Sequence, residues 1–198
     1  TWPRNSARLI TKSMSAQRTA ARKIPGLVPG IFFFGLTLAV AAGPPLDLGA
    51  ELFGEGNWAA ARTECLRVQA NQTASVAARA RWLAAVSSLR LGQGREEAQA
   101  ELAALWGEES VDLGIRCLAA YELGLAEWAD GGKTNALAAL KFAFLQTRDT
   151  PLFWRAGCSL YFFLKADKTL RLQEAATWQS LQSCRDVWPR EAWRECRP

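Results

Sequence analysis

An alanine follows a turn signal at a near-constant interval along this chain, and that recurrence limits what the chain can fold into more than any other feature. The alanines are Ala61, Ala98, Ala136 and Ala175, at intervals of 37, 38 and 39 residues. The turn signals ahead of them are Glu55-Gly56-Asn57, Gly92-Gln93-Gly94, Asp130-Gly131-Gly132 and Ala166-Asp167-Lys168. Between the signals, apolar residues return every three or four positions, which is the helical period. Alanine, leucine, glutamate, glutamine and arginine dominate there, and all favour helix. Valine and isoleucine are sparse and no run alternates with period two, so no strand is expected. A unit of this length, made of two helices and a tight turn, is a repeat unit. The pattern predicts an all-α chain with helical hairpins at about 46–70, 74–107, 111–147 and 151–185. Thr150 ahead of Pro151 predicts a sharp helix start, and Ser110 and Thr73 are expected N-caps of the same kind.

The clearest unit is 121–140. Twelve residues before Ala61 and Ala136 stand Gly49 and Gly124, preceded by Leu48 and Leu123. With Gly56-Asn57-Trp58 and Gly131, these positions resemble the tetratricopeptide repeat family. The run from Leu91 to Ala98 matches with one extra residue in its turn. The resemblance covers about residues 46–185. It departs from the family in its long period and in lacking the proline that usually closes a repeat. It implies an α-α superhelix of three to four hairpins, occupying 43–185, with first helices lining a concave side. Stacked hairpins make a continuous core that no single hairpin could bury. On that register the concave residues are Arg79, Trp82 and Arg90 from the second repeat and Tyr121, Leu125 and Trp128 from the third. Arginines and aromatics make binding hot spots. The competing reading seats Trp82 and Trp128 in the core. The implied function is a non-catalytic scaffold of the cell envelope that holds a protein or peptide partner. The alternative is a membrane-anchored accessory module of an envelope or membrane-protein assembly factor, with an effector domain beyond residue 198.

The charge of the chain is uneven. Arg4, Arg8, Lys12, Arg18, Arg22 and Lys23 all precede the first acid, Asp47. Setting those six aside leaves 18 of the 24 basic residues against 19 acidic ones, so the net charge of +5 does not argue for nucleic acid. An apolar stretch follows the basic segment over 27–42, broken at Pro29 and Gly30, with Ile31–Ala42 as its core. Ala39-Val40-Ala41 fits a signal-peptidase site before Ala42, with Val40-Ala41-Ala42 as a close second. Residues 1–42 are thus expected to be a leader that is cleaved, and the protein periplasmic or secreted. The core is short for a spanning helix of roughly 20 residues. The alternative is an uncleaved anchor over 24–42, with membrane contact only through this segment.

Nothing in the sequence points to an enzyme, a cofactor or a metal. There is no histidine, which excludes Ser-His-Asp and Cys-His catalysis and histidine zinc sites. The five cysteines show no C-x-x-C spacing. Lys133-Thr134 after two glycines looks like the end of a phosphate loop, but Glu127 holds the position six before the lysine where that loop needs glycine. Glu96-Glu97, Glu108-Glu109 and Glu122 with Glu127 read as solvated helix faces. Asn71-Gln72-Thr73 is a formal glycosylation sequon. Cys65, Cys117 and Cys158 lie in alanine- and leucine-rich helices and are expected to be buried free thiols. Cys184 and Cys196 flank the run from Arg185 to Glu195, outside the repeats, where a C-terminal tail over 186–198 begins. In an oxidising compartment they could bridge; alternatively this segment leads into a further domain.

Overall fold

A computed structural model describes residues 46–70, 72–148 and 150–184. All belong to the compact unit Gly35–Pro198. The expected leader, the cleavage residues Ala41 and Ala42, the anchor alternative over 24–42, Asn71 and Cys196 lie outside the described residues. The described chain is all-helical, and no strand occurs in it. The helices are α1 Asp47–Gly54, α2 Trp58–Gln69, α3 Ala74–Leu91, α4 Arg95–Gly107, α5 Leu113–Ala129, α6 Lys133–Gln146, α7 Pro151–Ala166 and α8 Arg171–Ser183. A 3-10 turn, Lys168–Leu170, precedes α8. Among the described residues, no helix is long and apolar enough to cross a membrane.

Local chemistry sets the helix ends. The α3 helix stops at Gly92, whose φ of 67° is in the left-handed region that glycine enters without steric cost. Its N–H donates to the Leu89 carbonyl at 3.2 Å, and the Gln93 N–H donates to Ser88 at 3.1 Å. These bonds satisfy carbonyls that the helix end would leave without partners. Pro151 opens α7 after Thr150, as expected. Thr73 stands at the start of α3. Ser110 does not cap α5. Asp112 does, its carboxylate accepting from the Gly114 N–H at 2.8 Å and the Ile115 N–H at 3.3 Å. Ser110 donates to Glu108 instead, at 3.0 Å.

Each helix packs chiefly on the next in sequence. The odd-numbered helices also touch one another in a row, α1 on α3, α3 on α5 and α5 on α7, whereas the even-numbered helices have no comparable mutual contact. Four equivalent pairs on the even-numbered helices form the seam between the layers. Ala61, Ala98, Ala136 and Thr177 are buried, and four residues on from each stand Cys65, Leu102, Leu140 and Leu181, all 0 % exposed. Sidedness at four-residue spacing is what a helix provides. The fourth member is Thr177, not the expected Ala175, which is exposed. The 3-10 turn displaces the register of α8.

Gly124 shows how close the layers come. A Cβ there would lie 2.7 Å from the Leu140 Cγ and 3.1 Å from the Ala136 carbonyl oxygen. Gly49 meets the Cys65 Sγ at 2.8 Å in the same sense, and Gly157 meets Leu181 at 2.7 Å. A side chain at Gly124 must push α6 off α5. Gly124→Val should therefore cost about 1–3 kcal/mol in thermal or urea melts. Gly107→Ala is the control: nothing lies within 4 Å of its would-be Cβ, and its melt should match that of the parent or rise slightly.

Candidate functional site

The residues expected on a binding face all lie on α3 and α5, two of the helices that form the row. On α5, Tyr121, Glu122, Leu125 and Trp128 share one side of the helix by their spacing. On α7 the corresponding side carries Trp154, Arg155, Cys158 and Tyr161. The structure separates these residues by burial.

Trp82 is 8 % exposed and Tyr121 7 %. Neither is an open contact for a partner, which corrects the expectation from sequence. The Trp82 ring lies 5.8 Å from that of Phe53 on α1, and its indole Nε1 is buried without a hydrogen-bond partner among the described residues. Tyr121 hydrogen-bonds Ser159 of α7, and burial pushes its phenol up to about 12. Both rings are clamped where neighbouring helices of the row meet. Leu125 and Trp128 are half-buried. Trp128 stacks on Phe163, with centroids 4.1 Å apart and planes 5° from parallel, and the Lys133 ammonium stands 6.0 Å from its ring centre. Arg79 is half-buried, and Arg90 reaches from α3 to Glu122 on α5 at 3.0 Å.

Sequence reasoning missed Glu122, Trp154, Arg155 and Cys158. Glu122 had the look of a solvated acid, yet its side chain is only 14 % exposed. Burial raises its carboxyl above the ordinary range, and the charges of Arg90 and Arg155 oppose that rise. Glu122 is thus the acid in a cluster with two arginines, drawn from α3, α5 and α7. The available signal was its place next to Tyr121 on the same face. Arg155 follows Trp154 as Glu122 follows Tyr121, but the face expected from sequence covers only the second and third units.

The other sequence signals resolve as structure. Asp130 in the turn before Lys133 accepts from Arg95 and from Gln99, each at 2.7 Å, and so joins α4 to the end of α5. Cys65 and Cys117 are buried free thiols, each pushed up to about 11 chiefly by burial. Cys184 is also a free thiol, so it does not bridge to Cys196. Cys158, expected to be free, is in a disulfide. No group of three or more potential metal ligands occurs among the described residues. An apolar cleft of about 370 Å³ lies between α6, α7 and α8, lined by Leu137, Phe144, Leu160 and Leu164 with Thr177 and Ser180 at its edge. No known protein family, curated protein or solved structure matches the chain.

Two measurements follow from this geometry. Trp82→Ala should lower stability by about 3–5 kcal/mol, the cost of emptying a buried aromatic seat, read from a thermal melt. Glu122 should make itself felt through pH. Its native carboxyl holds a proton more tightly than the unfolded chain does. Its contribution to stability is therefore full below the ordinary value of 4.5 and falls as pH rises through the native pKa. Urea melts from pH 4 to pH 8 should show wild type losing stability relative to Glu122→Gln as the pH rises. A constant difference between the two would show that Glu122 titrates normally.

Proposed function

We propose that this chain is a non-catalytic protein-interaction scaffold outside the cytoplasm, built as a superhelix of tetratricopeptide-like hairpins that holds a peptide segment along its concave side. One observation carries the reading: α1, α3, α5 and α7 touch in a row while the even-numbered helices have no comparable mutual contact. A two-layer stack of that kind curves, with the first helices inside. The row carries Arg79, Arg90 and Arg155, the last two near Glu122, together with Leu125 and Trp128. Guanidinium forks pair with carboxylates through two parallel hydrogen bonds, which suits acidic side chains or a peptide C-terminus. Half-buried aromatic and aliphatic groups alongside suit the apolar side chains of an extended or helical segment. Trp82 and Tyr121 then act as the floor that holds the row together. The export reading draws support from the basic and apolar leader pattern in the sequence. A disulfide at Cys158 fits an oxidising compartment as well.

The test is fluorescence anisotropy with a library of acidic peptides, each made with a free and an amidated C-terminus. Arg79→Ala and Trp128→Ala should each weaken the best binder by about 1–3 kcal/mol, with melting temperatures close to wild type. Binding that ignores both substitutions would remove this face from the function.

A further inference from the structure

The helices α6, α7 and α8 are poor in acids. They carry Lys133, Lys141, Arg155, Lys165 and Arg171 against the carboxylate of Glu174. The cleft of about 370 Å³ opens among these same helices, and Glu174 does not line it. Both α6 and α8 pack on α7 but have no comparable contact with each other, so a gap is left between them. The floor of the gap is closed: Phe144, Leu160 and Leu164 are buried. The Phe144 ring sinks against α7 at Gly157, where a Cβ would lie 2.8 Å from it. The walls are open, since Ala138, Leu145 and Ala176 line the cleft and are exposed.

Lys141 is the ionisable residue of the lining. No ion pair reaches it among the described residues, whereas Arg67, Arg81, Arg90 and Arg95 all have carboxylate partners. The hydroxyls of the lining have their hydrogens engaged within α8. Thr177 donates to the Gln173 carbonyl at 2.8 Å and Ser180 to the Ala176 carbonyl at 2.9 Å. A lysine stem can lie along an apolar wall while its ammonium stays in water. The lining is therefore an apolar bed with one unpaired cation. Clefts of about 300–1,000 Å³ with a mostly apolar lining and a few polar groups are the usual seats of small ligands. At about 30 Å³ for a water-sized group, this one holds roughly a dozen non-hydrogen atoms.

We propose that the cleft between α6, α7 and α8 binds a medium-chain fatty carboxylate. The chain lies over Phe144, Leu160 and Leu164, and the carboxylate meets the Lys141 ammonium. An acyl chain has no hydrogen-bonding groups to satisfy, which suits a bed whose hydroxyls are already engaged. A peptide brings an N–H and a C=O with nearly every residue and finds no row of partners here. A single ammonium, with no arginine fork beside it in the lining, suits one carboxylate group better than a phosphate. Leu160 and Leu164 lie on a different side of α7 from Trp154 and Cys158 by their helical spacing. The site is thus independent of the peptide-binding reading above.

The experiment is isothermal titration of the full chain with hexanoate, octanoate, decanoate and dodecanoate, each below its micelle threshold. Each added methylene should tighten binding by about two- to fourfold up to decanoate, and dodecanoate should gain little more because the cleft is full. Decanol should bind about fivefold more weakly than decanoate, the upper end for an exposed ion pair, and decyltrimethylammonium more weakly still. Lys141→Gln should bring decanoate to the level of decanol and leave decanol unchanged. Ala176→Trp fills the cleft from the α8 wall, and Ala138→Trp from the α6 wall. Each should abolish binding of decanoate and decanol, with a melting temperature close to wild type. Heat from none of the carboxylates would overturn the site. Binding that survives both tryptophan variants, or keeps tightening beyond decanoate, would mean adsorption on the surface and overturn it as well. Equal binding of decanoate and decyltrimethylammonium would remove the carboxylate and Lys141 from the proposal. Anionic phospholipid vesicles that hold the chain through Lys141 while free decanoate does not bind would replace the free acid with a membrane surface.

Discussion

The close approach of α5 to α6 at Gly124 is the constraint on which the rest of the packing turns. With no side chain there, the Leu140 side chain and the Ala136 carbonyl come within a distance that a Cβ could not share. The same economy of side chain recurs where Gly49 faces Cys65 and Gly157 faces Leu181. Each contact lets a leucine or cysteine of the even-numbered helix sink to full burial, and burying such a side chain is worth about 1.5–3 kcal/mol. Once paired this closely, the helices leave the odd-numbered members free to meet the next pair. The row α1, α3, α5, α7 is the result.

Polar links between successive elements then fix how one pair sits on the next. Arg62 donates to Ser88 at 2.8 Å, linking α2 to α3. Arg95 pairs with Asp130 and Arg116 donates to the Trp106 carbonyl at 3.1 Å, linking α4 to α5, while Arg81 pairs with Glu101 and Glu108 inside the α3–α4 hairpin. Exposed ion pairs contribute roughly 0–1 kcal/mol each. They cannot hold the array together, but their geometry penalises slippage of one pair along another. Arginine dominates these links because its planar fork can serve a carboxylate and a carbonyl at once, as Arg95 does with Asp130 and Ala126.

Glu122 stands apart from those surface pairs. Its carboxylate is mostly shielded from water while its partner Arg90 stays exposed, and desolvation of the acid outweighs the attraction of both arginines. A pair on a shielded carboxylate adds little to stability, and losing the arginine leaves the acid less well compensated. Its value lies in the alignment of α3 with α5 and in keeping two guanidinium groups near one acid. The stacked Trp128 and Phe163 join α5 to α7 on the same row. The face is therefore stiff and charged at the same place.

Sequence by itself determined the helices, their turns and their spacing. The glycine at position 92, the proline at 151 and the three-to-four-residue return of apolar side chains act within a few residues of themselves, so their consequences are local and legible. The recurrence of Ala61, Ala98 and Ala136 likewise marked the seam between layers, because a small residue four before a large one has the same meaning in each unit. The fourth unit escaped this reading: a 3-10 turn moved the buried position from Ala175 to Thr177, and no pattern in the sequence announces that shift. Which aromatic is sealed and which is reachable was also decided only in three dimensions. Trp82, Tyr121, Leu125 and Trp128 all occupy the same kind of position on their helices, yet the first two are closed off and the others are not. Burial depends on what the neighbouring helix brings to the contact, as Phe53 does for Trp82 and Ser159 for Tyr121. The same holds for Glu122, which two arginines from helices roughly 30 residues away in either direction make part of a cluster. The identity of a partner that distant is a property of the fold and is not carried by the residue itself.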